Sequence, residues 1–358
     1  MRDMILTALS KVPDPDLGSD LVTLGMIKEI DLESTPVKVI VELTTSACPM
    51  KQKIEDDCRR ALSTIEGLEF EIILTAKVLA NNTKGGGNLS EVKNIILVLS
   101  GKGGVGKSTV ATNIAICLAR GGSKVGLLDA DIYGPSIPTM MGTKDKPTLT
   151  EDQKIVPLES HGIKIMSSGF LVDEDSALIW RGPMIHKIIN QFCSDVDWGA
   201  LDYLVLDLPP GTGDVQLSVS QAIPVVGAVM VTTPQQVALA DVRRAESMLR
   251  TLKIPLLGII ENMAGYTHPE SGETIHFFAE GGGKILAENT ESKLLGSIPL
   301  DPEVCKAGDK GIPVVISQAN STVAEAFEKT SQNLAAQISI FNHKGISSKV
   351  IIPKRPTH

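Results

Sequence analysis

Two kinds of hydrophobic patterning divide this 358-residue chain. Over residues 1–80 the apolar positions come in short alternating stretches. They predict a helix at 2–10, strands at 24–31 and 37–44, a helix at 49–66 and a strand at 69–77, which makes a small α+β unit. From residue 92 the strands change character. Ile95-Ile96-Leu97-Val98-Leu99, Val125-Gly126-Leu127-Leu128, Leu204-Val205-Leu206, the run 227–233 and Leu256-Leu257-Gly258-Ile259-Ile260 are nearly unbroken apolar segments, and helical patterns separate them. Strands apolar on both faces belong in a parallel sheet covered by helices on each side, so residues 92–342 read as an α/β, doubly wound, mostly parallel domain. Between the units, the polar run Asn81-Asn82-Thr83-Lys84-Gly85-Gly86-Gly87-Asn88 marks a flexible linker at 81–91 that would let the front unit swing. Lys344 to His358 carry four Lys/Arg groups and no acid, and 343–358 read as a basic, disordered tail.

Composition narrows the classes. At 42% apolar the chain can fill two cores, but at 3% aromatic those cores are aliphatic and base stacking is scarce. A net charge of −8 argues against broad nucleic-acid affinity. No apolar run approaches the roughly 20 residues that span a bilayer, and Met1-Arg2-Asp3-Met4-Ile5 is no secretory signal. Five cysteines, at 48, 58, 117, 193 and 305, are odd in number and scattered, as free thiols in a reducing cytoplasm would be.

The chemistry concentrates directly after the first long strand. Gly101-Lys102-Gly103-Gly104-Val105-Gly106-Lys107-Ser108-Thr109 has the G-x-x-x-x-G-K-S spacing of a phosphate-binding loop, between a β-branched strand and a helix at 107–120. Its glycines let successive N–H groups converge on one anion, and the helix N-terminus adds its dipole. Lys107 reaches the β- and γ-phosphates and the Ser108 hydroxyl ligates Mg²⁺ in such loops. Two further apolar strands end in carboxylates, Asp129-Ala130-Asp131 and Asp207, at the edge where ligands sit in open α/β sheets. Plain helix or strand caps are the other reading of these acids. Pro209-Pro210-Gly211 forces an irregular loop after Asp207. No Asn-Lys-x-Asp guanine motif occurs, and an asparagine amide such as Asn262 suits the N6/N7 edge of adenine, so ATP is the expected nucleotide.

The early lysine, Lys102, resembles the second lysine of the deviant Walker A loop in the MinD/Mrp group of dimeric ATPases. Leu128 to Ser136 is similar to the switch I signature of Mrp/ApbC proteins, and Asp207-Leu208-Pro209-Pro210-Gly211-Thr212-Gly213-Asp214 to their Walker B/switch II. Trp180-Arg181-Gly182-Pro183 also follows their pattern, near the dimer and cargo face. The resemblance covers roughly 92–335. It implies that Lys102 acts on the partner's ATP across a homodimer, that Asp131 orients the attacking water, and that Asp129 and Asp207 serve the Mg²⁺. It implies too that Gly211 swings toward the γ-phosphate and that Asn262 and the Ser297-Ile298-Pro299-Leu300-Asp301 loop hold adenine. The implied activity is a slow ATPase that carries iron–sulfur clusters from assembly proteins to recipient apoproteins, with no role for nucleic acid or membrane. A non-enzymatic scaffold and a MinD-like membrane-positioning protein are the competing classes. The second wants an amphipathic terminal helix that Gly345–Pro353 does not supply.

Residues 1–80 resemble the small iron–sulfur-assembly domain that often precedes these ATPases, through Val12-Pro13-Asp14-Pro15-Asp16 and Thr44-Thr45-Ser46-Ala47-Cys48-Pro49-Met50; glutamate is usual where Asp16 stands. Cys48, at a helix start whose dipole favours thiolate, is the candidate cluster ligand of this unit; an inert half-buried thiol is the alternative. The C-x-x-C pair that many Mrp proteins carry after the adenine asparagine is missing. His268 and Ser271 stand in its place, with Glu270, Glu273 and His276 nearby. A harder-metal site and a solvated loop both fit that composition. Cys117 reads as core, whereas Cys193 and Cys305 lie in polar surroundings and read as exposed.

Overall fold

A computed structural model describes residues 1–81, 89–132, 134–171, 182–211, 216, 223–268 and 270–345. The front unit contains α1 (Arg2–Leu9), β1 (Ile27–Asp31), β2 (Val37–Leu43), α2 (Lys51–Leu62) and β3 (Phe70–Ala76). β2 is central, antiparallel to β1 and parallel to β3. Its burial alternates strictly, so Val37, Val39, Val41 and Leu43 face the helices and pack with Ile5, Leu9, Ile54 and Leu62. α2 is shorter at both ends than its periodicity predicts. Pro49 and Met50 form the turn before it, and Ser63 begins the turns that end at Gly67.

The large unit is built on β4 (Val92–Ser100), α3 (Lys107–Arg120) and β5 (Val125–Asp129), followed by the short α4 (Ile137–Met140). A two-residue ribbon, β6 (Thr148–Leu149) with β7 (Ile155–Val156), precedes β8 (Leu158–Ser160) and β9 (Ile163–Ser167). Then come α5 (Gly182–Ser194), β10 (Leu201–Asp207), β11 (Gly227–Thr232), β12 (Leu256–Asn262), the ribbon β13 (Tyr266–Thr267) with β14 (Thr274–Ile275), and β15 (Leu294–Ile298). Among the described residues the main sheet has eight strands in the order β15-β12-β11-β4-β10-β5-β9-β8. All its pairings are parallel except β8 with β9. That antiparallel edge hairpin, like both small ribbons, has no counterpart among the predicted elements, because strands of two to five residues carry too little periodicity to read.

The central strands β4, β5, β10, β11 and β12 are buried almost end to end, as their unbroken apolar runs require. Because they run parallel, their carboxyl ends all open on one edge of the sheet. There the P-loop follows β4, Asp129 ends β5, Asp207 ends β10 and Asn262 ends β12.

The front unit sits at the opposite edge. Thr45 Oγ1 and the Tyr203 hydroxyl are 3.2 Å apart, Ser46 Oγ and Ser123 Oγ 2.6 Å, and Ser339 Oγ donates to the Thr44 carbonyl at 3.4 Å. Ala47 belongs to the hydrophobic core of the large unit. Of the expected linker, residues 82–88 lie outside the described residues; Asn81 and Leu89 on either side of them are buried. The tail expected at 343–358 and the Trp180-Arg181 pair likewise fall outside the described residues, apart from the first three tail residues. No helix among the described residues is long and apolar enough to cross a membrane.

Candidate nucleotide site

The P-loop starts from Ser100, the last residue of β4, whose hydroxyl donates to the Lys102 carbonyl (3.0 Å) and tightens the turn. Gly104 and Gly106 both take positive φ, 78° and 79°, conformations that L side chains adopt at a cost. At Gly106 space forbids a side chain as well, since a Cβ would lie 2.3 Å from Asn262 Nδ2. That amide donates to the Val105 carbonyl at 2.9 Å, so Asn262 fastens the end of β12 to the phosphate loop. α3 then begins at Lys107, its unpaired N–H groups turned toward the loop.

Lys107 is 6% exposed, and its ammonium donates to Asp207 Oδ1 at 2.6 Å and to Ser108 Oγ at 3.2 Å; Asp131 Oδ2 lies 3.8 Å away. Asp207 is fully buried. Burial raises its pKa, Lys107 and the Ser108 hydroxyl pull it back, and Asp131 adds to the rise. Its second oxygen, Oδ2, is buried without a hydrogen-bond partner. A buried carboxylate oxygen left without a donor, next to a serine hydroxyl and a second acid, is a hard-oxygen donor set that suits Mg²⁺.

Both carboxylate oxygens of Asp129 accept hydrogen bonds. Oδ1 accepts the Asp131 N–H (3.1 Å), while Oδ2 accepts the Ile137 N–H (3.3 Å) and the Ser167 hydroxyl (3.0 Å). Both oxygens thus hold the loop between β5 and α4, and they tie that loop to β9. Burial, with the Asp207 charge beside it, pushes the Asp129 carboxyl up to about 7.

Two adjoining cavities meet at this edge. One of about 210 Å³ is lined by Lys102 to Thr109 together with Asp131 and Pro210. The other, about 610 Å³, lies between Gly106 and Thr109 on one side and Asn262, Pro299, Leu300, Asp301 and Cys305 on the other. The first matches a phosphate chain in place and polarity, the second a nucleoside. Gly101 and Gly103 shape the loop's start, and a Cβ at Gly103 would stand 3.9 Å from Pro210. Gly211 has φ 96°, and its N–H donates to the Ser100 carbonyl (3.0 Å).

Matches to known proteins agree with this geometry. Residues 91–335 match the NUBPL iron-transfer P-loop NTPase family, and residues 2–72 match the iron-sulfur cluster assembly protein family. This chain belongs to the iron-transfer P-loop NTPases. Along almost its whole length it is similar to proteins named iron-sulfur cluster carrier protein. One from Deinococcus radiodurans is 48% identical over 95% of this chain and 96% of the relative. Another from Escherichia coli K12 is 39% identical over 94% and 92%. Among solved structures, a nucleotide-binding protein in complex with ADP from Archaeoglobus fulgidus is 39% identical, with a TM-score of 0.59 over 67% of this chain and 94% of that one. The Pyrococcus furiosus cell division ATPase MinD, at 23% identity and TM-score 0.52, shares the fold.

Within this iron-transfer NTPase the structure gathers Lys102, Lys107, Ser108, Thr109, Asp131, Asp207, Gly211, Asn262 and Pro299 at one edge, and leaves Cys48 outside that group. It also places residues that the sequence reading passed over. Gln235 Oε1 accepts the Lys102 ammonium at 2.7 Å. Gln216 donates to the carbonyls of Pro209 (2.8 Å) and Gly211 (3.1 Å) and so braces the Pro-Pro-Gly loop. Glu261, the acid before Asn262, accepts the Gly283 N–H at 2.7 Å and the Ser297 hydroxyl at 3.1 Å, which sets the strand ends beneath the larger cavity. Only Glu261 had a signal in the sequence, as an acid at the end of an apolar strand.

The thiols depart from expectation. Cys48 is half-buried just ahead of α2, and its thiol is pushed up to about 11, chiefly by burial; the Met50 N–H pulls it back, and Asp16 and Asp14 add smaller rises. The expected lowering by the helix start does not win: desolvation outweighs the N–H of Met50 at that start. Cys193, expected exposed, is buried and pushed up to about 12 by that burial alone; Cys58 and Cys117 are buried as well, and Cys305 is exposed. In the loop that replaces C-x-x-C, His268 Nδ1 accepts the N–H groups of Glu270 and Ser271, both at 3.3 Å, and His276 Nδ1 lies 3.0 Å from the Ala264 carbonyl. These imidazoles brace a β-ribbon. No group of three or more potential metal ligands occurs among the described residues.

Proposed function

We propose that this protein is an ATP-hydrolysing carrier of iron–sulfur clusters that works as a homodimer, with residues 1–80 and 92–342 as its two working units. The observation that carries the ATPase reading is the buried Lys107–Asp207–Asp131 constellation at the head of a phosphate-sized cavity. ATP lies with its phosphates in the P-loop and its adenosine between Asn262 and the Pro299 loop. Incoming phosphate oxygens compete with Asp207 for the Lys107 ammonium, which leaves Asp207 and Ser108 to hold Mg²⁺. The metal supplies charge neutralisation on the phosphates. Asp131, one short loop from Asp129, accepts a hydrogen bond from the attacking water and aims it. Lys102 leaves Gln235 to stabilise the charge that builds on the partner protomer's ATP, as a finger residue does. Asp129 holds Asp131 in place through its backbone N–H.

Likeness to proteins named iron-sulfur cluster carriers, over nearly the full length of both, supports the cargo reading. Clusters bound to protein need thiolate ligands, ordinarily four. Cys48, with its partner copy in the dimer, is the thiol of this chain nearest to such a role. A second reading is favoured by the braced His268 ribbon: a nucleotide-dependent switch that has lost the cluster site on that loop.

Anaerobic reconstitution of the full chain and of Cys48→Ala, read as iron and sulfide per protomer together with visible absorption, separates the two. The carrier reading expects a stoichiometric cluster that the substitution abolishes. A chain that takes up no cluster, while still hydrolysing ATP, is the switch.

A further inference from the structure

The loop that carries Cys48 is also the loop by which the front unit grips the large one. Three of its contacts fall at the ends of two elements, and a further one, from Ser339 to the Thr44 carbonyl, comes from the helix Thr322–His343. Ser46 bonds to Ser123, and Ala47 lies where a Cβ on Gly121 would come within 3.2 Å of it, just past the end of α3. Thr45 bonds to Tyr203, near the start of β10. At their other ends the same two elements carry Lys107 and Asp207, which pair at 2.6 Å. α3 and β10 therefore form a closed frame with the phosphate site at one end and Thr45–Ala47 at the other.

That frame is stiff. α3 spans about 21 Å, and ten of its fourteen residues are buried. Val110, Ala111, Ile114, Ala115 and Leu118 are all within 1% of complete burial. β10 is hydrogen-bonded on both sides, to β4 and to β5. Close-packed elements of this kind move as bodies and do not absorb a displacement along their length.

We propose that nucleotide binding at the P-loop is transmitted along α3 and β10 to the Thr45–Ala47 loop and loosens its grip, so that the nucleotide state sets how far the Cys48 segment is exposed. This coupling rests on the nucleotide reading above. The step that drives it is the exchange at Lys107. When phosphate takes the ammonium from Asp207, the direct tie between the first residue of α3 and the last residue of β10 is lost, and the two elements shift relative to each other. Their far ends are then no longer spaced for both hydroxyl contacts. Linkage makes the effect reciprocal: if nucleotide favours the released loop, releasing the loop by mutation tightens nucleotide binding.

The test uses the full chain and reads alkylation at each cysteine by peptide mass spectrometry, with and without Mg²⁺ and a non-hydrolysable ATP analogue. Cys305 lines the larger cavity and reports occupancy through its protection, while buried Cys58 on α2 reports unfolding of the front unit. The expected result is protection of Cys305, no change at Cys58 and acceleration at Cys48 by about fivefold or more, the lower end of ordinary coupling between sites. In Thr45→Val/Ser46→Ala, Cys48 should react fast without nucleotide, respond no further to it, and the analogue should bind more tightly. Protection of Cys305 with no change at Cys48 overturns the coupling and leaves the nucleotide reading intact. If titration with a fluorescent ATP analogue finds no binding and Cys305 is not protected, the nucleotide reading falls and the coupling falls with it.

Discussion

At the scale of single residues, buried charge dominates this site. Lys107 compensates a carboxylate that has no exposure at all, and removing one partner of such a pair costs about 3–5 kcal/mol when the other stays charged. Lys107→Met should lower ATP turnover about 10²-fold or more, as a single-turnover assay would measure. The fold of the variant should survive, because the vacated Asp207, its pKa already raised, takes up a proton. Cys48 makes a prediction of opposite sign to the one its position suggests. A thiol pushed up to about 11 is almost wholly protonated at neutral pH, and the nucleophile is the thiolate. Its alkylation rate should climb about tenfold per pH unit from 7 to 10 with no plateau. A plateau beginning near pH 8 would show that the thiol is not held up by burial.

At the scale of elements, strand ends do the work. Four parallel strands present Ser100, Asp129, Asp207 and Asn262 at one edge, and the chain needs no long loops to bring them together. The P-loop is built as much by what lies over it as by its own glycines. Gly106→Ala would place a methyl against the Asn262 amide and force a side chain into the left-handed region. Its expected effect is loss of nucleotide binding by isothermal titration, with unchanged far-UV circular dichroism. The long apolar strands and the helix at 107–120 are legible from the sequence because their periods are strong and uninterrupted. The β8–β9 hairpin and the 266–275 ribbon are not, since their strands are too short to show a period, and the ribbon's turn is held by His268 through backbone N–H groups. The site motifs were legible as spacings. The partners of those motifs were not: Gln235 lies 133 positions from Lys102, and Ser167 lies 38 from Asp129.

At the scale of the whole molecule, the phosphate site and the Cys48 loop stand at opposite edges of one sheet, and any traffic between nucleotide and cargo must cross it. A dimer closed over ATP predicts that Lys102→Ala still binds the nucleotide yet loses turnover and the shift to dimer, measured by light scattering on a sizing column. If Lys102→Ala dimerises and hydrolyses like the parent, the lysine has no role across the interface. The P-loop, the two acidic strand ends, the asparagine that ends β12 and the division into a small α+β unit and a parallel α/β unit all rest on local spacing and period, and these a linear chain carries by itself. Three-dimensional packing alone decided the rest. Asp129 anchors a loop because the Ser167 hydroxyl and the Ile137 N–H lie beside it, Cys48 is a suppressed thiol because desolvation dominates around it, and the front unit is docked because Thr45 and Ser46 find hydroxyls on Tyr203 and Ser123. Each of those outcomes depends on which distant group occupies the neighbouring space, and no spacing along the chain encodes that.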